Sequence, residues 1–395
     1  MLRFTTAGES HGPALISILE GAPAGIPLLA SDVDAELARR QQGYGRGRRM
    51  QIERDAVEFL SGIRAGHTIG SPVAMLIRNR DWANWSSIMD AAPDPTNAPR
   101  KRAVTRPRPG HADLAGMLKY DRDDARDILE RASARETTAR VAAGAVCRKL
   151  LAEVGVTIGS HLVELGGVKS AVPVELPADI NGVADQSPLR TLDSNAEAEM
   201  IAGIDAARES GDTLGGVCEV VCRGLPIGMG SHISWDRKLD GRIGAAMMSI
   251  PAVKGVEIGL GFEAARRRGS QVHDEIHASP DNARAGDTAR HTNRAGGLEG
   301  GMTTGEALVV RVAMKPISTL MRPLATIEME TGAPAAAVAE RSDVTAVPAM
   351  GVIAEAMLAF VMAQALIEKF GGDSLSELHR NLDGYLARIA ERRGR

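Results

Sequence analysis

Residues 347–370 read VPAMGVIAEAMLAFVMAQALIEKF, the longest apolar stretch of the chain. A membrane-spanning helix needs about 20 consecutive, predominantly apolar residues. This stretch is long enough, but Glu355 and Gln364 interrupt it, and an ionisable group at mid-span is costly in lipid. A helix apolar nearly all round belongs inside a large core. The stretch therefore predicts a buried helix of a soluble protein and no membrane partner.

The 395 residues, at about 150 per domain, suggest two to three domains or one large one. Hydrophobic residues at 44% and charged residues at 25% are ordinary for a globular chain, which excludes dominant disorder and fibres. A net charge of -3 gives no overall basic field for nucleic acid. Aromatics at 3% count against base-stacking platforms. Only eight of the 47 basic residues are Lys. Arg binds carboxylates and phosphates bidentately and keeps its charge when buried. Cys147, Cys218 and Cys222 are odd in number and form no C-x-x-C pair, so they read as reduced thiols. No ligand spacing for zinc accompanies them, so no metal is expected. Residues 1–5 lack a basic segment leading into an apolar run, so no signal peptide is expected and a cytoplasmic location is.

Residues 14–29 predict a strand, a Gly/Pro turn and a short extended piece. Ser31 with Asp34 suggests a capped helix start, with the helix running to Arg40 and stopped by Gly43-Tyr44-Gly45. Strands are expected over 57–63, 73–78, 217–222 and 307–314, and helices over 195–209, 236–248 and 348–370. A helix over 123–154 leaves room for a break. The Pro- and Asp-rich run 81–109 reads as one long loop, and loops of that length are usually functional or disordered. Residues 173–193 and 266–306 show neither period. No repeat and no biased linker divides the chain. One large α+β domain over 1–395 is the expectation.

Several strings carry chemistry. Gly8-Glu9-Ser10-His11-Gly12 puts a His on a tight turn, as a proton-transfer group or as a turn residue with a structural hydrogen bond. Residues 39–49, RRQQGYGRGRR, crowd five Arg that repel unless an anion neutralises them. A small polyanion, an RNA or plain solvation remains open there. Arg106-Pro107-Arg108-Pro109-Gly110-His111 is stiffened by two prolines and pre-organises cations beside an acid/base group. Arg131 and Arg135 stand four apart on a helix, as ligands or as an exposed salt-bridge stripe. Residues 293–303 hold four glycines whose N–H groups are available to a ring carbonyl or phosphate; the Walker lysine is missing. Lys315-Pro316-Ile317-Ser318-Thr319 makes a rigid turn after a strand. Gly259-Leu260-Gly261-Phe262-Glu263-Ala264 mimics a dinucleotide fingerprint, but Arg266-Arg267-Arg268-Gly269 breaks the helix it would open.

In order, the strings GESHG (8–12), RRQQGYGRGRR (39–49), RPGHAD (108–113), ERASARET (130–137), HDE (273–275), TNRAGGLEGGM (292–302), MKPIST (314–319) and RSDVTAVP (341–348) resemble the chorismate synthase family. The resemblance spans residues 8 to 348. It implies a single-domain β-α-β sandwich and a homotetramer. It implies a lyase that converts 5-enolpyruvylshikimate 3-phosphate to chorismate and phosphate by anti 1,4-elimination, with reduced FMN as catalytic cofactor. By resemblance Ser10, Arg40, Arg46, Arg49, Arg108, Arg135 and Arg341 bind substrate. His11 acts as acid at the departing phosphate, His111 stabilises the reduced flavin, and Asp343 relays a proton at its N5. FMN is expected against Arg131, Ala132, Ser133, Pro251, Ala252, Gly300, Lys315, Pro316, Ile317, Ser318, Thr319 and Arg341. The family usually carries an amide residue where this chain has Pro251, which implies altered FMN affinity. Arg40 and Arg46 match positions linked to NADPH in some members. Nothing marks a dedicated reductase site, so NADPH is expected to act only indirectly, through external flavin reduction. The rival from another class is an RNA-binding protein using the Arg/Gly loop.

Overall fold

The computed structural model describes residues 1–47, 53–93, 100–280, 282–339 and 343–392. The first sheet is formed by β1 (Arg3–Ala7), β2 (Ala14–Glu20), β3 (Val57–Ser61) and β6 (Val73–Arg78), in the order β1-β2-β6-β3. A small hairpin, β4 (Ile63–Arg64) and β5 (His67–Thr68), bulges from it. β2 alternates half-buried and buried residues, the period-2 signature of a sheet with one covered face. The second sheet uses β7 (Thr157–Leu165), β8 (Val168–Lys169), β9 (Gly216–Arg223), β10 (Val253–Ile258) and β15 (Leu308–Met314), in the order β10-β15-β9-β7-β8. Both sheets are antiparallel throughout. Further short hairpins pair β11 (Ile276–Ala278) with β12 (Thr288–Arg290), β13 (Leu298–Glu299) with β14 (Met302–Thr303), and β16 (Ala325–Ile327) with β17 (Pro334–Ala336).

Helices fill the space between the sheets. α1 (Ala30–Gln41) begins one residue before the expected cap: the Leu29 N–H donates to Asp32 Oδ2 at 2.8 Å, so Asp32 closes the first turn rather than Asp34. α2 (Asp113–Tyr120), α3 (Arg126–Ala132) and α4 (Thr137–Glu153) follow. The break between α3 and α4 falls at Ser133, whose extended backbone starts a 3-10 turn and whose Oγ accepts the Arg135 N–H at 3.3 Å. α5 (Ile180–Ala184), α6 (Ser194–Ser210), α7 (Leu239–Met248), α8 (Val347–Phe370) and α9 (Leu375–Glu391) complete the set.

α4 packs on β1 and β2, α8 packs on β7 and β9, and the two helices pack on each other. Their crossing is close because α4 offers Gly144, where a Cβ would come within 2.6 Å of Ala356 Cα. The result is one β-α-β sandwich with one main core running through both sheets. α8 is the one helix among the described residues long and apolar enough to cross a membrane, and 83% of its most apolar window is buried inside the protein. Glu355 sits in it fully buried, with guanidinium partners from Arg39, Arg148 and Arg190. Residues 261–266 form a 3-10 turn, not the helix a dinucleotide fingerprint would open.

Candidate active site

The loops that leave these elements converge on one cavity of about 1850 Å³. The turn between β1 and β2 supplies Ser10 and His11, the end of α1 supplies Arg40, and the loop after it supplies Arg46. The loop before α2 supplies Arg108 and His111, and the α3–α4 break supplies Ala132, Ser133 and Arg135. Pro251 and Ala252 enter between α7 and β10, Lys315, Ile317, Ser318 and Thr319 follow β15, and Asp343 precedes α8. Segments more than 300 residues apart thus share one wall.

The first turn is shaped by Gly8. Its φ is +105°, and a Cβ there would lie 2.4 Å from Ala14 O, so only glycine fits. The turn is pinned to α3, where Ser10 N–H donates to Glu130 O at 2.9 Å. Glu130 then grips His11: its carboxylate accepts the backbone N–H at 2.8 Å and lies 2.9 and 3.0 Å from Nδ1. Arg126 donates to the same carboxylate at 2.9 Å. Burial works to raise Glu130, but His11 and Arg126 outweigh it and hold the carboxyl below its usual range. Trp85 stacks on the His11 ring with centroids 3.8 Å apart.

His111 has a parallel arrangement. Its Nδ1 contacts Asp113 Oδ1, and Arg108 donates to the same carboxylate through its backbone N–H at 3.1 Å and Nε at 2.8 Å. Asp113 is fully buried, and burial opposes its charge, yet His111 and Arg108 keep it well below the ordinary carboxylate range. Arg108 Nη1 also donates to Thr319 Oγ1 at 2.9 Å, and Lys315 Nζ donates to Gly110 O at 3.0 Å. The 106–113 loop and the 315–319 turn are therefore stitched together. Burial, then the charge of Lys254, lowers Lys315.

Arg40 is 3% exposed. Its Nε donates to Thr137 Oγ1 at 3.0 Å and one Nη to Ala134 O at 2.8 Å, while Nη1 is buried with no partner among the described residues. Burial, then the charge of Arg46, pushes it down to about 9, still charged at neutral pH. A buried guanidinium nitrogen without an acceptor is costly unless an anion arrives. Arg46 pairs with Asp343 at 3.2 Å, and Asp343 also accepts the Gly47 N–H at 2.6 Å, fixing the loop. Arg135 lines the cavity but is occupied by Asp55 at 2.7 Å and Asn79 at 2.9 Å.

Several expectations change. Arg131 and Arg135 do not share a helix face, because Ser133 breaks the helix between them. Arg131 is exposed, off the cavity wall, and clips β1 through Thr6 and Gly8. Gly300 is exposed at the tip of the 298–303 hairpin, and it and Pro316 are absent from the wall. Three of the four glycines of 293–303 serve packing: a Cβ would strike Gly259 N at 2.3 Å from Gly296, Ala307 O at 2.6 Å from Gly297 and Lys238 Cγ at 2.6 Å from Gly301. Arg49 and Arg341 lie outside the described residues. Within RRQQGYGRGRR, Arg39 is bound to Glu355, Arg40 and Arg46 line the cavity, and Arg48 lies outside the described residues with Arg49.

The motif reading missed Trp85, Arg102 and Arg126, which line the same cavity. Trp85 and Arg102 lie in the long 81–109 loop whose length flagged it.

A chorismate synthase family model matches residues 2–367. The chorismate synthase of Symbiobacterium thermophilum is 58% identical over 399 residues, covering 99% of this chain and all of that protein. That of Thermus thermophilus is 56% identical over 388 residues, with 98% and 99% covered. A crystal structure of chorismate synthase superposes with a TM-score of 0.78 at 44% identity, covering 99% of this chain and 98% of that one.

Proposed function

The chain belongs to the chorismate synthase family of shikimate-pathway lyases, and from that premise we propose that its cavity eliminates phosphate from 5-enolpyruvylshikimate 3-phosphate to give chorismate, with reduced FMN as catalytic cofactor. The observation that carries the reading is the convergence of six separate motifs on one cavity whose charged wall is mostly Arg.

The residues fit both groups. The substrate bears a phosphate and two carboxylates, and Arg40 Nη1 is a buried donor lacking an acceptor among the described residues. Ile250, Met314, Ile317 and Met350 give the cavity wall apolar surface that suits a flat ring system, and Lys315 and Arg108 line the same cavity. Ala252, at φ +68°, carries backbone in a strained left-handed conformation onto that wall.

The elimination has no net redox change. The C–O electron pair leaves with phosphate, the C6 proton is lost, and its bonding pair enters the new diene. When bound, the reduced flavin supplies transient electron density and a basic N5. His11 donates a proton to the departing phosphate through Nε2, since Nδ1 is engaged by Glu130. Ser10, Arg40, Arg46, Arg108 and Arg135 hold the anions, joined by Arg49 and Arg341. His111 would stabilise the reduced cofactor, which Ala132, Ser133, Pro251, Ala252, Lys315, Ile317, Ser318 and Thr319 would hold. Asp343 moves the proton at N5, its carboxylate oriented by Arg46 and Gly47. NADPH enters only by reducing flavin elsewhere, and the working form is a cytoplasmic homotetramer. Adding substrate to protein and reduced FMN without oxygen is expected to change the flavin absorption spectrum; an unperturbed spectrum at saturating substrate counts against the shared cavity.

A further inference from the structure

Glu130 touches the residue that donates the proton and also its neighbour Ser10. It is 1% exposed. Its backbone carbonyl takes Ser10 N–H, and its carboxylate takes His11 N–H and meets His11 Nδ1. We infer that Glu130 is a positioning residue that keeps hydrogen on His11 Nδ1 in one ring plane, both in the imidazolium that gives up its Nε2 proton and in the neutral ring left behind, with Trp85 closing the ring's face. The inference rests on the assignment of His11 as the acid.

An ionised carboxylate only accepts hydrogen bonds, so the Nδ1 that meets it must carry hydrogen. Arg126, one turn earlier on α3, donates to Oε1 and keeps the carboxylate ionised. The opposite tautomer would set two acceptors against each other 2.9 Å apart in a buried site. Stacking fixes the remaining freedom, rotation of the ring. Trp85 lies 3.8 Å from the His11 ring at an interplanar angle of 23°. Trp85 is itself held by donation from Nε1 to Asp81 at 2.9 Å and by the guanidinium groups of Arg102 and Arg126 at 4.6 and 5.1 Å. Together these direct proton exchange to Nε2, as a carboxylate partner does for a catalytic imidazole elsewhere. His111 also meets a buried carboxylate, Asp113, through Nδ1, but there Arg108 Nη2 lies 3.1 Å from the same nitrogen, so the carboxylate does not act alone.

The test combines turnover with the ¹⁵N spectrum of the His11 ring, assigned by its loss in His11→Ala. In the unmodified protein at alkaline pH the spectrum is expected to show hydrogen on Nδ1; hydrogen on Nε2 overturns the inference without any variant. Glu130→Gln is expected to lower kcat about ten- to a hundredfold, to leave KM within about threefold, and to mix the tautomers. Glu130→Asp is expected to recover part of the kcat. A Glu130→Gln protein with unchanged kcat and tautomer overturns the inference. So does one whose kcat and KM change together while the tautomer persists, which marks a packing role alone. If the unmodified protein releases no phosphate, the elimination reading fails while the tautomer spectrum still decides this one.

Discussion

The Glu355 carboxylate, buried at the middle of α8, accepts hydrogen bonds of 3.0 Å from both terminal nitrogens of Arg39. Arg148, Arg190, Ser160 and Asn181 complete its surroundings. Arg39 directly precedes Arg40 of the cavity wall, so the network that neutralises an acid in the core also anchors the end of α1 that presents a site residue.

Removing that acid is expected to be severe. Glu355→Leu removes the carboxylate that Arg39, Arg148 and Arg190 share and leaves them only Glu36 and Asp185 among the described carboxylates; breaking a buried pair from one side typically costs about 3–5 kcal/mol. Urea unfolding at neutral pH should register the loss; an unchanged midpoint with an unchanged slope removes the role assigned to the network.

The same group sets an acid limit. Burial alone would raise Glu355, but Arg39, Arg148 and Arg190 outweigh it and hold it well below the usual carboxylate range. A value lower in the folded than in the unfolded state contributes stability that is present above the unfolded value, about 4.3, and is lost as pH falls below it. Unfolding measured from pH 6 to 3 should show stability declining below about pH 4.3, and less steeply in a Glu355→Gln protein. Parallel curves for the two proteins would contradict the assignment.

Much of this was legible in the chain. The apolar run interrupted by Glu355 and Gln364 predicts the core helix, and RPGHAD and GESHG bring their residues to the cavity. What escaped has physical causes. β7 lacks a period-2 signal because Ser160 and His161 point to opposite faces and both are buried. α9 carries a cap, Ser374 Oγ accepting the Glu377 N–H at 3.3 Å, which the reading passed over. Helical spacing placed Arg131 beside Arg135, but it assumes an unbroken helix, and Ser133 ends that helix between them.

Arg46 tests the division of the cavity. Charge-assisted hydrogen bonds contribute about 1.5–3 kcal/mol, so Arg46→Ala should weaken binding of 5-enolpyruvylshikimate 3-phosphate at least about tenfold. FMN affinity, followed by flavin fluorescence, should change far less. Equal losses of both ligands would place Arg46 elsewhere.

The thiols should be inert. Cys147, Cys218 and Cys222 are buried, and burial pushes the first two up to about 12 and the third higher. The thiolate is the nucleophile, so a thiol-specific chromogenic reagent should titrate none in the native protein and all three in denaturant. Rapid native reaction would mean that the core opens readily.

His11→Ala should slow turnover about 10²–10⁴-fold, the usual contribution of one positioned proton donor. Single-turnover phosphate release is the appropriate measurement, and a rate like that of the unmodified protein removes His11 from the acid role.

The most direct measurement is anaerobic incubation of the folded protein with 5-enolpyruvylshikimate 3-phosphate and sub-stoichiometric reduced FMN. Phosphate and chorismate are expected in equal amounts, many per flavin, with no NADPH consumed per turnover. Absence of phosphate under full reduction, or one reducing equivalent consumed for each product, would contradict the elimination.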